Sequence, residues 1–318
     1  SVTKEAKDKY SGISSRDVSS SLMQAKDIDV PEGKQIIDIV INEFILEDGK
    51  IVDDPIGTFS SKFTLNAQII LADKDYMRII TNIFKKVDVD IDGMVPITLA
   101  EKNLVLDTIE QKDYVMLLDI GAETMNIGVF DGERYVYTNS IPVGGNNITN
   151  DIAVVLGINL DEAERLKRQY SLALKSYIDN DTDVVLNSVK NGENKIVKSS
   201  EIVEIIEARI EQMFEIVNQD ITNQGIKQNI NTVVITGQGI TNISKSDIVG
   251  KIILNIPVKM ANNKIASIIK PNYATAYALV KYIASRPFAK NVSSSLDINS
   301  EEGFFKNLIE KVKEFFYS

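Results

Sequence analysis

Asp119 closes the apolar run Tyr114–Leu118 and is followed by Ile120-Gly121-Ala122-Glu123-Thr124, after which a second run opens at Asn126. A carboxylate at a strand end, then small residues in a tight turn, suits a phosphate group. Backbone N–H groups of Gly121 to Thr124 can point at its oxygens as an anion nest. Thr124 and Asn126 add side-chain partners, and Asp119 can hold Mg²⁺ through water. Gly144-Gly145-Asn146 forms a second glycine loop ahead of a helical stretch. Glu164 and Lys167 stand three apart and share a helix face. The run Val233–Thr236 ends in Gly237-Gln238-Gly239-Ile240, and paired glycines let the backbone approach a planar ligand. Taken singly, each has a plainer reading: a hairpin turn, a loop, a solvated ion pair.

Composition narrows the chemistry. The 318 residues contain no histidine and no cysteine. That removes His-based triads, His and thiolate metal sites, disulfides and Cys nucleophiles. Carboxylates, amides, hydroxyls, lysines and backbone remain, a set suited to a hard, oxygen-bound ion. Lys and Arg number 35 against 45 Asp and Glu, a net charge of −10, which argues against a nucleic-acid partner. No apolar run reaches the 18 residues of a membrane span, and no signal peptide opens the chain. The expected compartment is cytoplasmic.

The elements that must position these residues can be read from periodicity. Gln35–Leu46, Lys50–Val52 and Ser61–Leu71 read as strands, with Glu47-Asp48-Gly49 as a hairpin turn. Lys74–Val87 has helical spacing, and a second helix follows Pro96 to about Ile109. Tyr114–Leu118, Asn126–Phe130 and Arg134–Thr138 read as strands, Ile148–Leu156 and Leu160–Ser171 as helices. Asn180–Lys198 reads as a polar, turn-rich section. Ser199 and Ser200 are expected to cap a helix over Glu201–Val217. Thr232–Thr236 and Ile252–Met260 read as strands, Asn272–Ala284 as a helix of small residues. Lys290–Ser300 reads as a flexible linker. In the final helix Phe304, Phe305, Leu308, Ile309, Val312, Phe315 and Phe316 fall within one arc of about 140°, the pattern of a membrane-surface helix.

Order and spacing together carry more than any single motif. Phosphate hairpin, Gly-Gly loop, EAERLKRQY at 162–170, strand with GQG, then the helix PNYATAYAL at 271–279 resembles the actin-like ATPase superfamily. IPVGGNNITNDIA at 141–153 resembles the bacterial cell-division family FtsA within it. That resemblance implies an α/β, actin-like (ribonuclease H-like) core with a small extra subdomain and a C-terminal amphipathic helix. It implies residues 1–93 as the small α/β subdomain with a remnant of the first actin-like half. Residues 94–110 and 271–288 would be helices of that half. The nucleotide-holding subdomain would be 113–165 and 227–270, with 166–226 its companion, 289–302 a linker and 303–318 the membrane-targeting helix. It further implies ATP and Mg²⁺ as ligands, self-association into filaments, the C-terminal tail of the tubulin-like division GTPase FtsZ and a lipid surface as partners, and a place on the inner face of the cell membrane at the division site.

Two departures bear on turnover. The family's first phosphate hairpin has no counterpart here, and Val95 stands where the family carries Glu ahead of Pro96. Any ATP hydrolysis is therefore expected to be slow. The rival readings are a pilus-assembly scaffold of the same fold and a sugar or acetate kinase.

Overall fold

The computed structural model describes residues 1–5, 12–91, 93–186, 195–261 and 274–285. The expected linker and the C-terminal amphipathic helix with its seven apolar residues lie outside them. The chain divides into two units, Ser1–Leu279 and Val280–Ser318. The described part of the second is the end of helix α8, Ala274–Ser285.

The N-terminal region is an antiparallel sheet of β1 (Val2–Glu5), β2 (Lys34–Leu46), β3 (Ile51–Val52) and β4 (Lys62–Asp73), ordered β1-β4-β2-β3. Its Val- and Ile-rich runs pair as the alternation demands, and Phe44, Phe63 and Leu65 are fully buried. The turn between β2 and β3 closes with Gly49 at φ +82°, a conformation glycine adopts without penalty. Helix α1 (Ser15–Ala25) starts at a capping box in which Asp17 accepts the Ser14 N–H at 3.0 Å while Ser14 Oγ accepts the Asp17 N–H. Asp73 caps α2 (Lys74–Lys85) by accepting two N–H groups. Neither β1 nor α1 was apparent from periodicity.

The second sheet carries the chemistry. Its order is β11-β10-β5-β6-β7. Strands β5 (Tyr114–Ile120), β6 (Met125–Asp131) and β7 (Arg134–Ile141) form an antiparallel meander, while β10 (Thr232–Thr236) runs parallel to β5 and β11 (Val258–Met260) parallel to β10. Thr236 pairs with Asp119, so the turns after both strands open at one sheet edge. One face buries Met116, Leu118, Ile120, Ile127 and Val129 against α4 (Gly145–Leu156), α5 (Leu160–Gln169) and α6 (Ser199–Asn223). Ile202, Ile206, Ile210, Met213, Phe214, Val217 and Ile221 line the inner side of α6 at helical spacing. Against the sheet's other face lies α3 (Ile97–Val105), whose Thr98 sits so close to Gly128 that a Cβ there would lie 2.4 Å from its Oγ1. Backbone contact of this kind requires glycine.

Several boundaries differ from expectation, each for a local reason. Ile252–Met260 is not one strand. Its first residues end helix α7 (Ser246–Leu254), Asn255 turns at φ +54°, and only Val258–Met260 joins the sheet. A short, mostly apolar run does not reveal its period. The polar section before α6 holds a hairpin, β8 (Asp183–Leu186) with β9 (Lys195–Lys198). Helix α6 begins at Ser199, with Lys198 as its cap position; both serines instead donate to Asp181. Helix α4 begins three residues before Ile148, at Gly145, and α3 stops at Val105.

Candidate functional site

Three loops meet at the sheet edge, and glycine is what lets them meet. The turn after β5 is closed by the Gly121 N–H on the Thr124 carbonyl at 2.8 Å. The loop before α4 docks on it, with the N–H groups of Gly145 and Asn146 donating to the carbonyls of Gly121 and Ala122 at 3.0 and 2.7 Å. The turn after β10 docks from the other side, the Gly239 N–H donating to Ile120 O at 2.7 Å. A Cβ on Gly144 would stand 2.6 Å from Ala122 O, on Gly145 2.9 Å from Gly239 O, and on Gly239 2.3 Å from Gly121 O. Gly237, at φ +85°, would meet Ile120 O at 2.3 Å. These glycines therefore first serve backbone-to-backbone packing. The Gly121, Gly145 and Asn146 N–H groups are engaged, whereas among the described residues those of Ala122, Glu123 and Thr124 donate to no backbone acceptor.

Asp119 lies under this turn. Asn126 Nδ2 donates to its Oδ2 at 3.1 Å and to Thr124 Oγ1 at 3.4 Å, while Ser140 Oγ donates to Asn126 Oδ1 at 2.8 Å. Burial pushes the Asp119 carboxyl above its usual range, although the Asn126 bond opposes that shift. Helix α3 brings a second carboxyl here that motif reading missed. Glu101 is 5% exposed, and its Oε2 has no hydrogen-bond partner among the described residues. Burial, then the charge of Asp119, pushes it up to about 8; a hydrogen bond with Thr275 on α8 pulls the other way. The neighbouring Lys102 is committed elsewhere, to Gly132 O at 2.9 Å and Glu133 at 2.8 Å.

The α5 side is compensated. Lys167 Nζ reaches Glu164 at 2.6 Å, Thr149 Oγ1 at 2.8 Å and the Gly145 carbonyl at 3.2 Å. Thr149 donates to Glu164 Oε2 at 2.6 Å and Arg168 to Oε1 at 2.8 Å. Burial would push the Glu164 carboxyl up, but the bonds from Lys167, Thr149 and Arg168 outweigh it and hold it at about 2. Thr149, four residues beyond Gly145, thus joins α4 to α5; it too was missed.

The structure brings Asp119, Gly121–Thr124, Asn126, Gly144–Asn146 and Gly237–Gly239 to one place, and ties Glu164 and Lys167 to Gly145. Ala122, Glu123, Asn146 and Gln238 are exposed. The Ile240 side chain is fully buried in the core, leaving only its backbone to face a ligand. Among the described residues no group of three carboxylates could hold a metal unaided. The donor set of Asp119, its Asn126 partner and the orphaned Glu101 oxygen fits a hard cation that brings other ligands with it, such as phosphate oxygens and waters. No helix among the described residues is long and apolar enough to cross a membrane.

A family model for the cell division protein FtsA matches residues 116–278, and one for the SHS2 domain inserted in FtsA matches residues 2–71. The cell division protein FtsA of Bacillus subtilis (strain 168) is 25% identical over 275 residues, 85% of this chain and 61% of that protein. This chain therefore spans less than two thirds of that relative's length. Among solved structures, MreB 5 of Spiroplasma citri bound to AMPPNP superposes with a TM-score of 0.54 at 18% identity, over 71% of this chain and 68% of that one. A PilM–PilN type IV pilus biogenesis complex gives 0.52 at 13%, over 89% and 75%. At such identities these show the fold alone, and it is actin-like. With the FtsA model covering 163 of 318 residues, the two α/β sheets described above belong to an actin-like cell-division protein, and the chain is a member of the FtsA family.

Proposed function

We propose that this chain is an ATP-binding adaptor of cell division. It self-associates into actin-like filaments and tethers the division GTPase FtsZ, through that protein's C-terminal tail, to the inner face of the cell membrane. One observation carries the nucleotide reading: three glycine loops close on one another around Asp119 while leaving the N–H groups of Ala122, Glu123 and Thr124 open at the rim. Phosphates would sit on that turn, as on other backbone anion sites. Mg²⁺ would supply charge neutralisation to them, with Asp119 holding it through water. The ribose and base would lie toward Glu164, Lys167 and Gly239. The MreB 5 complex with AMPPNP supports a nucleotide in this fold. Turnover would be slow, well below the median enzyme rate of about 10 s⁻¹, because Val95 offers no acceptor to orient an attacking water.

Membrane attachment rests on the sequence pattern of 303–318 alone. The monomer would bind weakly and reversibly, and a filament tightly through many tails.

The test is a thermal melt with millimolar MgATP. A ligand that binds only the folded state raises the midpoint. The wild-type chain should show that rise and Asp119→Ala should lose most of it. An unmoved midpoint, or an equal rise in both, overturns the site. Co-sedimentation with liposomes, with and without residues 291–318, tests the anchor: equal pelleting would refute it.

A further inference from the structure

We propose that Glu101 is a second carboxylate of the cation position, acting with Asp119 on the divalent ion that accompanies the nucleotide. This rests on the nucleotide reading above and deepens it.

Two carboxyls come together at the end of β5, Asp119 only half-buried. Glu101 comes from α3 and is 5% exposed. Thr98, one helical turn before Glu101 on α3, packs on Gly128, which pairs with Leu117, two residues before Asp119 in β5; the α3 packing thus brings Glu101 beside the Asp119 end of the strand. A buried charge needs an opposite charge or a full set of hydrogen bonds. Asp119 has Asn126, and the backbone of Gly237 presses on its Oδ1, where a Cβ would lie 2.4 Å away. Among the described residues Glu101 has Thr275 alone, and its Oε2 has no partner. The adjacent cation, Lys102, is spent on Glu133. Two oxygens that lack a counter-charge, beneath a turn with open N–H groups, match a hard ion held between protein and phosphate.

The alternative is a carboxyl kept for packing, the hydrogen bond to Thr275 joining α3 to α8. The two differ in what Glu101→Gln does. Gln preserves shape and the bond to Thr275 while removing the charge. A packing role predicts no change in metal binding. A cation role predicts weaker metal binding with no loss of stability when metal is absent, because Gln leaves no ionisable group to be charged beside Asp119.

The experiment uses Mn²⁺ as the probe, with free ion counted by electron paramagnetic resonance, on the whole chain at saturating ADP. Thermal midpoints are taken in EDTA. Glu101→Gln should weaken Mn²⁺ binding tenfold or more and melt in EDTA no lower than wild type, and Glu101→Asp should recover part of the affinity. Unchanged Mn²⁺ affinity in Glu101→Gln overturns the proposal, as does a lower midpoint in EDTA, which would make Glu101 a packing residue. If neither protein binds ADP by calorimetry, the nucleotide reading itself fails, an outcome distinct from the other two.

Discussion

The two sides of the loop cluster handle their carboxylates in opposite ways. On the α5 side Glu164 is surrounded by Lys167, Arg168 and Thr149, and is held ionised down to about 2. On the α3 side Glu101 and Asp119 are neighbours with no cation paired to either among the described residues, and Glu101 is pushed up to about 8 by burial and then by Asp119. The compensated side is complete as it stands, with Lys167 also gripping Gly145 O. The uncompensated side has a charge requirement that a ligand can meet.

Both sides hang on the same glycine contacts, so the largest effect should come from breaking those. Gly239→Ala places a Cβ 2.3 Å from Gly121 O, where backbone must shift. We expect a loss of about 3 kcal/mol or more in urea unfolding, and nucleotide binding should go with it. Gly157→Ala is the contrast. Gly157 has φ +72° but nothing within 4 Å of its would-be Cβ, so it should cost only about 1–2 kcal/mol.

Next, Lys167→Met makes the compensated side resemble the other. Glu164 would keep Arg168 and Thr149 but lose the less exposed of its two cations. A cost of about 2 kcal/mol is expected at pH 7.

A smaller effect sharpens the comparison through pH. Glu101 has a folded value above its ordinary 4.5. Its contribution to stability is thus full below 4.5 and is lost as pH rises through about 8. Glu164 is lowered from 4.5 to about 2, so its contribution is present above 4.5 and is lost as pH falls toward 2. Denaturation in EDTA should show Glu101→Gln gaining on wild type as pH rises from 5 to 9, reaching about 1 kcal/mol or more. A constant gap across that range would contradict the α3-side account. The smallest effect belongs to Arg168→Ala, whose side chain is 78% exposed; unfolding should register no more than about 0.5 kcal/mol.

How much of this was legible in the sequence follows from whether the signal was local. The strand–turn–strand at Asp119, the glycine loops and the Glu164–Lys167 pair are local patterns, and the structure gathers them. The reason for the glycines was not local: they answer carbonyls of Ile120, Gly121 and Ala122 from distant segments, which only the folded sheet reveals. Glu101 was visible as a charge within the apolar stretch Ile97–Leu106. Its nearness to Asp119 depends on how α3 crosses β5 and β6, fixed by the Thr98–Gly128 contact. The helix α7 was misread because Ile252–Met260 carries apolar residues at both periods. The hairpin of β8 and β9 hid in polar sequence because it is largely exposed.

The central claim is that ATP occupies the space between the Asp119 turn and the Glu164–Lys167 pair. Calorimetric titration of the chain with MgATP tests it most directly, beside Asp119→Ala and Lys167→Ala. The account predicts saturable binding at one site per chain, weakened tenfold or more by either substitution. Absence of binding, or an affinity that neither substitution changes, would contradict it.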